Sequence, residues 1–126
     1  MNLRTPLAHA RGHGSAKEGF GHWLLLRLTA VGMIPLSIWF IYSVIRLAGA
    51  HYEHFQAWIG LPGNTALMLL LLYCVFQHAQ LGVQEVIDDY MHGAAKLAAT
   101  ILVKMTSVLL GVFSAVAVLR VALVGG

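Results

Sequence analysis

The chain has 126 residues, of which 59% are hydrophobic and 10% charged, against roughly 25% charged in an ordinary soluble domain. With a mean hydropathy of +0.76 and only five acidic and eight basic side chains, it cannot clothe a water-facing surface of this size. That excludes a soluble enzyme, a nucleic-acid-binding domain and a disordered chain. Cys74 is the one cysteine, which excludes an internal disulfide framework and any multi-cysteine zinc or iron–sulfur site. The composition leaves an all-α integral membrane protein.

Residues 1–22 are basic and carry no acid before Glu18. They read as a soluble or interfacial N-terminal arm with a short helix near 15–20. A cleaved signal peptide is not expected, because the apolar stretch that follows is too long and no small-residue cleavage site closes it. Three apolar stretches follow at about 23–48, 65–87 and 97–124, each long enough for the ~20 residues of helix that cross a bilayer. Together, residues 23–126 form a three-helix membrane domain. Helix is the required state, since backbone groups in lipid must pair within their own segment or in a closed barrel. Pro35 should kink the first span. The connections are short: 49–64 holds His51, Glu53, His54, Pro62 and Gly63, which are turn or interface residues, and 88–96 is tighter.

Lysine and arginine placement sets the orientation. Arg4, Arg11, Lys17, Arg27, Lys96 and Lys104 lie on the face of the N-terminus and the second connection, whereas the other face has Arg46 and Arg120. The N-terminus and second connection are therefore expected to be cytoplasmic, with the first connection and the C-terminus outside.

Ionisable groups within a span are costly to bury and point to function. His78 stands about midway along the second span. Cys74, His78, Gly82, Glu85 and Asp89, at spacings of four, four, three and four, share one helical stripe. Three roles are open to His78: packing against a neighbouring helix's carbonyl, proton relay, or ligation of haem iron. Gly82, one turn away, permits close approach of a flat macrocycle or of another helix. No Cys-x-x-Cys-His occurs, which excludes c-type attachment. A low-spin b-type haem wants two axial side chains, so the second must come from another chain. Arg27 reads either as an interfacial arginine snorkelling to the headgroups or as an inward cation pairing with an anion such as a haem propionate. Asp88, Asp89 and Tyr90 end the second span, where carboxylates oppose the helix dipole. Tyr90 is open to two readings, a belt tyrosine or a phenol donating to a ligand oxygen. Ser107, Gly111 and Ala115 form a small-residue series suited to close helix packing.

His78-x-x-x-Gly82-x-x-x-Val86-x-x-Asp89-Tyr90 at the end of the second of three spans, with Arg27-x-Thr29-Ala30 at the start of the first, resembles the hydrophobic membrane anchor subunits of succinate dehydrogenase, the smaller of the two anchor chains of respiratory complex II. The resemblance covers the whole topology, and its specific motifs cover about a fifth of the chain. It implies that His78 is an axial ligand of haem b and that Arg27 lies near a haem propionate. It implies further that Tyr90 helps bind ubiquinone or another quinone and that Asp89 lies beside that site. The implied partners are a second multi-span anchor chain supplying the other haem ligand, completing a heteromeric helix bundle, and the iron–sulfur and flavoprotein subunits docked on the cytoplasmic face. The implied setting is the bacterial inner membrane, in the citric acid cycle and respiratory chain. Glu85 and Asp88 are extra acids that the pattern does not account for. The competing reading is a small proton-relay or transporter subunit using His78, Glu85 and Asp89 as a ladder, and a third is a purely structural anchor. The almost wholly apolar stretch 66–75 weighs against the ladder, which needs a polar route to the outer face.

Overall fold

The computed structural model describes residues 5–7 and 16–124, with the side chains of the first long helix from Gly19 onward. The described residues 16–124 fold as four helices, α1 (Ala16–Leu47), α2 (Tyr52–Ile59), α3 (Pro62–Tyr90) and α4 (Gly93–Leu123). Three helical segments are long and apolar enough to cross a membrane: Gly19–Leu47 within α1, then α3 and α4. At 1.5 Å per residue a 29-residue helix such as α3 is about 44 Å long. That exceeds the roughly 30 Å hydrocarbon core, so the helices carry their polar ends into the headgroup region. Much of the expected N-terminal arm, 1–4 and 8–15, lies outside the described residues. From Ala16 onward the arm is already part of α1, because no glycine–proline break separates it from the apolar run. The helix also continues through Pro35, whose missing N–H leaves the Val31 carbonyl without its helical donor.

The connections differ from their sequence reading in one respect each. Between the first two spans lies α2, a helix rather than turn residues alone. Its aromatic side packs it on the C-terminal half of α1: Trp58 stacks on Trp39 with ring centroids 5.7 Å apart, and Phe55 stacks on Trp58 at 6.3 Å. Ile59, 2% exposed, is the most deeply buried large side chain among the described residues. The α2–α3 corner is held by side chains of the first turn of α3. Thr65 donates its hydroxyl to the Ile59 carbonyl (2.5 Å), and Asn64 donates its amide to the Trp58 carbonyl (2.9 Å), satisfying acceptors that the end of α2 leaves open. Pro62 opens α3, where its missing N–H costs nothing. Between the second and third spans only Met91 and His92 are non-helical, both extended. Gly93 turns the chain into α4 with φ +65, a conformation that glycine adopts without steric cost.

In the packed molecule α3 is central, with α1 on one side and α4 on the other, and α2 leans on α3 and α4. The α1–α3 contact holds the apolar core: Leu36, Leu71 and Cys74, with Met33 and Leu67 against them. Gly32 lets α1 close on this point, since a Cβ there would sit 3.6 Å from the Cys74 sulfur. No residue of α4 is buried. The helices therefore form a row rather than a closed bundle, with most large apolar side chains facing outward.

An alanine forced into the left-handed region costs roughly 1–2 kcal/mol. Gly93→Ala should therefore lower the thermal stability of the protein in mild detergent. Gly63→Ala, in the first turn of α3 with open space around it, should not. Equal melting of the two variants would contradict the strain assigned to the α3–α4 turn.

Candidate functional site

The middle of α3 meets α1 at a polar contact. His78 is half-buried, and its Nδ1 lies 3.3 Å from the hydroxyl of Thr29 on α1. Thr29 is 3% exposed. Its hydroxyl also lies 2.9 Å from the Leu25 carbonyl and 3.0 Å from the Leu26 carbonyl, the back-bonding that lets threonine sit inside a helix. The two sequence patterns singled out on different spans thus meet, across 49 positions of chain. Among the described residues nothing else hydrogen-bonds His78. One turn further along α3, Gly82 is exposed and has nothing within 4 Å of where a Cβ would stand. The stripe predicted on α3 is real but divided: Cys74 is buried against α1, His78 and Gly82 border an open face, and Glu85 and Asp89 lie toward the end of the helix.

The other expected site residues fall in different places. Arg27 is exposed, with its guanidinium over the Trp23 ring, 5.6 Å from the centroid. Among the described residues it has no carboxylate partner, and no contact joins it to His78. Lying two residues before Thr29, it stands about 3 Å further toward the N-terminal end of α1. Asp89 is exposed and without a hydrogen-bond or ion-pair partner among the described residues, and Tyr90, the last residue of α3, is 81% exposed. His78 and Tyr90 are about 18 Å apart along the helix axis, too far for one small ligand to touch both.

The two extra acids have structural partners. Glu85 lies 3.5 Å from Nε2 of His22 on α1. Asp88 lies 3.4 Å from the Lys96 ammonium on α4 and accepts a 2.9 Å bond from the Gln84 amide. Gln84 also donates to the Thr100 hydroxyl at 3.0 Å. Sequence reasoning quoted Thr29 only within a motif and gave no role to His22 or Thr100. The Gln84–Asp88 pair, at i and i+4, was the legible part of this network, whereas its links to α1 and α4 depend on tertiary register. The proposed ladder finds no support: no hydrogen bond connects His78, Glu85 and Asp89 among the described residues, and His78 and Glu85 are about 10 Å apart along the axis.

On its opposite side α3 forms a groove of about 360 Å³ with α4, lined by Leu72, Phe76, Gln77, Gln80, Ser107 and Gly111. The small-residue series expected to pack helices lies here, and the Phe76 ring stands 3.8 Å from where a Gly111 Cβ would be. Among the described residues no three histidines, cysteines or carboxylates cluster as a metal site.

Residues 1–119 match the family described as succinate dehydrogenase/fumarate reductase transmembrane subunit. A succinate dehydrogenase hydrophobic membrane anchor subunit of Rickettsia bellii is 34% identical over 110 residues, covering 86% of this chain and 87% of that one. The subunit of the same description from Paracoccus denitrificans is 33% identical over 101 residues, covering 80% and 78%. That from Rickettsia conorii is 31% identical over 91 residues, covering 71% and 72%. No solved structure matches the chain.

Proposed function

The chain belongs to the succinate dehydrogenase/fumarate reductase transmembrane subunit family, as a hydrophobic membrane anchor subunit of succinate dehydrogenase, and on that premise we propose that it holds one b-type haem jointly with a second anchor chain and forms part of a quinone-reducing site. The flavoprotein and iron–sulfur subunits dock at the end of the molecule carrying Tyr90, on the cytoplasmic side of a bacterial inner membrane. The lysine and arginine distribution favours that orientation.

The observation that carries the haem reading is the setting of His78. One ring nitrogen is engaged by Thr29, the other has no hydrogen-bond partner among the described residues, and one turn along the same helix Gly82 leaves open space. A metal-bound histidine is held in this way, with its second nitrogen hydrogen-bonded by the protein. The donor set fits the group: the His78 imidazole of this chain would hold it together with a side chain from the partner anchor chain. When bound, the haem supplies a one-electron carrier within the membrane. Arg27, over the Trp23 ring and without a carboxylate partner among the described residues, stands slightly nearer the N-terminal end of α1 than Thr29, which suits a propionate that leans toward that surface.

Quinone reduction adds two electrons and two protons to the headgroup. Tyr90 and Asp89 lie where a headgroup can reach them from the membrane surface, both exposed and neither committed to another side chain. The Tyr90 phenol donates to a quinone carbonyl oxygen as negative charge develops on it. Asp89 orients that surface and passes protons inward from water. Because the site lies at the membrane interface, electrons from the iron–sulfur subunit reach the quinone without crossing the bilayer.

A reduced-minus-oxidised spectrum of the purified complex tests the first part. His78→Leu should abolish or alter the low-spin haem bands, and an unaltered spectrum and midpoint potential would overturn the assignment. For the second part, Tyr90→Phe should lower succinate-to-quinone turnover and weaken quinone-site inhibitors. Loss of one such donor typically costs about 10²–10³-fold, and less at a site partly open to water. Succinate oxidation by an artificial acceptor should survive in this variant. If both activities fall together the effect is on assembly, and if neither changes Tyr90 is a belt tyrosine.

A further inference from the structure

We propose that Thr29 is a positioning residue for His78: its hydroxyl accepts the Nδ1–H of the imidazole, fixes the tautomer that leaves Nε2 free to bind metal, and holds the ring in orientation. The inference rests on the haem reading above and deepens it.

The argument is one of hydrogen counting. A threonine hydroxyl has a single hydrogen and two lone pairs. Around Oγ1 of Thr29 stand the Leu25 carbonyl at 2.9 Å, the Leu26 carbonyl at 3.0 Å and the His78 Nδ1 at 3.3 Å. Both carbonyls are acceptors only, so the hydroxyl hydrogen must point at them. If it pointed at Nδ1 instead, its lone pairs would face two carbonyl oxygens at 2.9 and 3.0 Å with no hydrogen between them, a repulsive arrangement that a low-dielectric setting strengthens. Oγ1 therefore meets Nδ1 with a lone pair, and Nδ1 must carry the hydrogen. In a neutral imidazole one nitrogen donates and the other accepts, so Nε2 has the free lone pair. That is the form a ligating histidine needs, and the hydrogen bond behind it holds the ring in orientation.

The surroundings keep this arrangement in place. Thr29 is buried at 3% exposure, so water does not compete for its hydroxyl. Its backbone is part of α1, and the two carbonyls belong to the preceding turn of the same helix, so the hydroxyl's direction is set before the two helices meet. An acceptor behind Nδ1–H also shifts electron density toward Nε2, which favours the ferric over the ferrous state of a bound iron.

Two substitutions in the assembled complex separate this role from simple packing. Thr29→Val keeps the branched shape and removes the hydroxyl. Thr29→Ser keeps the hydroxyl and removes a methyl group. The haem midpoint potential is measured by redox titration of the absorption spectrum, and haem retention by transfer to excess apomyoglobin. Thr29→Val should lose about tenfold in ferric-over-ferrous preference, the low end of what removing such a supporting hydrogen bond costs. For a one-electron couple this is a rise of about 59 mV, and haem transfer should quicken about tenfold. Thr29→Ser should stay near the parent on both measures. A packing role predicts the reverse order, with valine harmless and serine perturbed. Valine at the parent potential, or serine and valine shifted alike, overturns the proposal while leaving His78 as ligand. If the parent complex contains no haem, the haem reading fails and this inference fails with it. Co-purification of each variant chain with the second anchor chain and the two soluble subunits confirms that the complex being titrated is assembled.

Discussion

Hydrocarbon offers a polar side chain no partner, so each one placed there has to be met by another protein group or by a ligand. Of the three spans α3 carries the most polar side chains, and the packing of the other two long helices follows from how they are met. On one side α1 answers with Thr29 for His78 and His22 for Glu85. On the other, α4 answers with Thr100 for Gln84 and Lys96 for Asp88. Apolar contact cannot set this register alone, because lipid tails solvate leucine as well as another helix does. The buried apolar cluster is accordingly small, Leu36, Leu71 and Cys74, and the polar cross-links specify which turn of each helix meets which.

The end of the molecule that carries α2 is built on a different principle. There α2 closes the α1–α3 connection through stacked aromatic rings and through Thr65 and Asn64, which satisfy its terminal carbonyls. Aromatic side chains suit this level because they combine an apolar body with a polar edge. The polar side of α3 and the aromatic corner thus lie at opposite ends of the molecule, with the apolar middle of α4 between them and open to its surroundings.

The three spans were legible because hydropathy over some twenty residues is a long, redundant signal. His78 was legible for the opposite reason, as a single imidazole in an apolar run. The pairing of Thr29 with His78 was not, because a hydroxyl that can bond its own helix gives no sign in sequence of facing another one. The helix α2 was missed because its eight residues make too short a run for a period to separate helix from turn, and a proline and glycines close by read as turn. Lys96, read from sequence as a topology signal, proves also to be the partner of Asp88. The two-residue turn at Met91 and His92 makes that pairing available by bringing the start of α4 back beside the end of α3.

That turn also separates the acids at the end of α3 by role. Glu85, Asp88 and Asp89 sit within one and a half turns, near a helix C-terminus whose dipole disfavours carboxylates. Asp88 is compensated by Lys96 and Gln84, and Glu85 faces His22. Among the described residues Asp89 has no such compensation, and it stands beside Tyr90, the most exposed aromatic residue of the described chain. A carboxylate that merely ended the helix would be replaceable by a neutral residue at no loss, so its position is unfavourable for stability alone. The acids that had no role in the sequence pattern are the ones that join helices, and the aspartate–tyrosine pair that the pattern singled out is the part the fold leaves uncommitted. This division supports reading Asp89 and Tyr90 as the surface offered to a ligand.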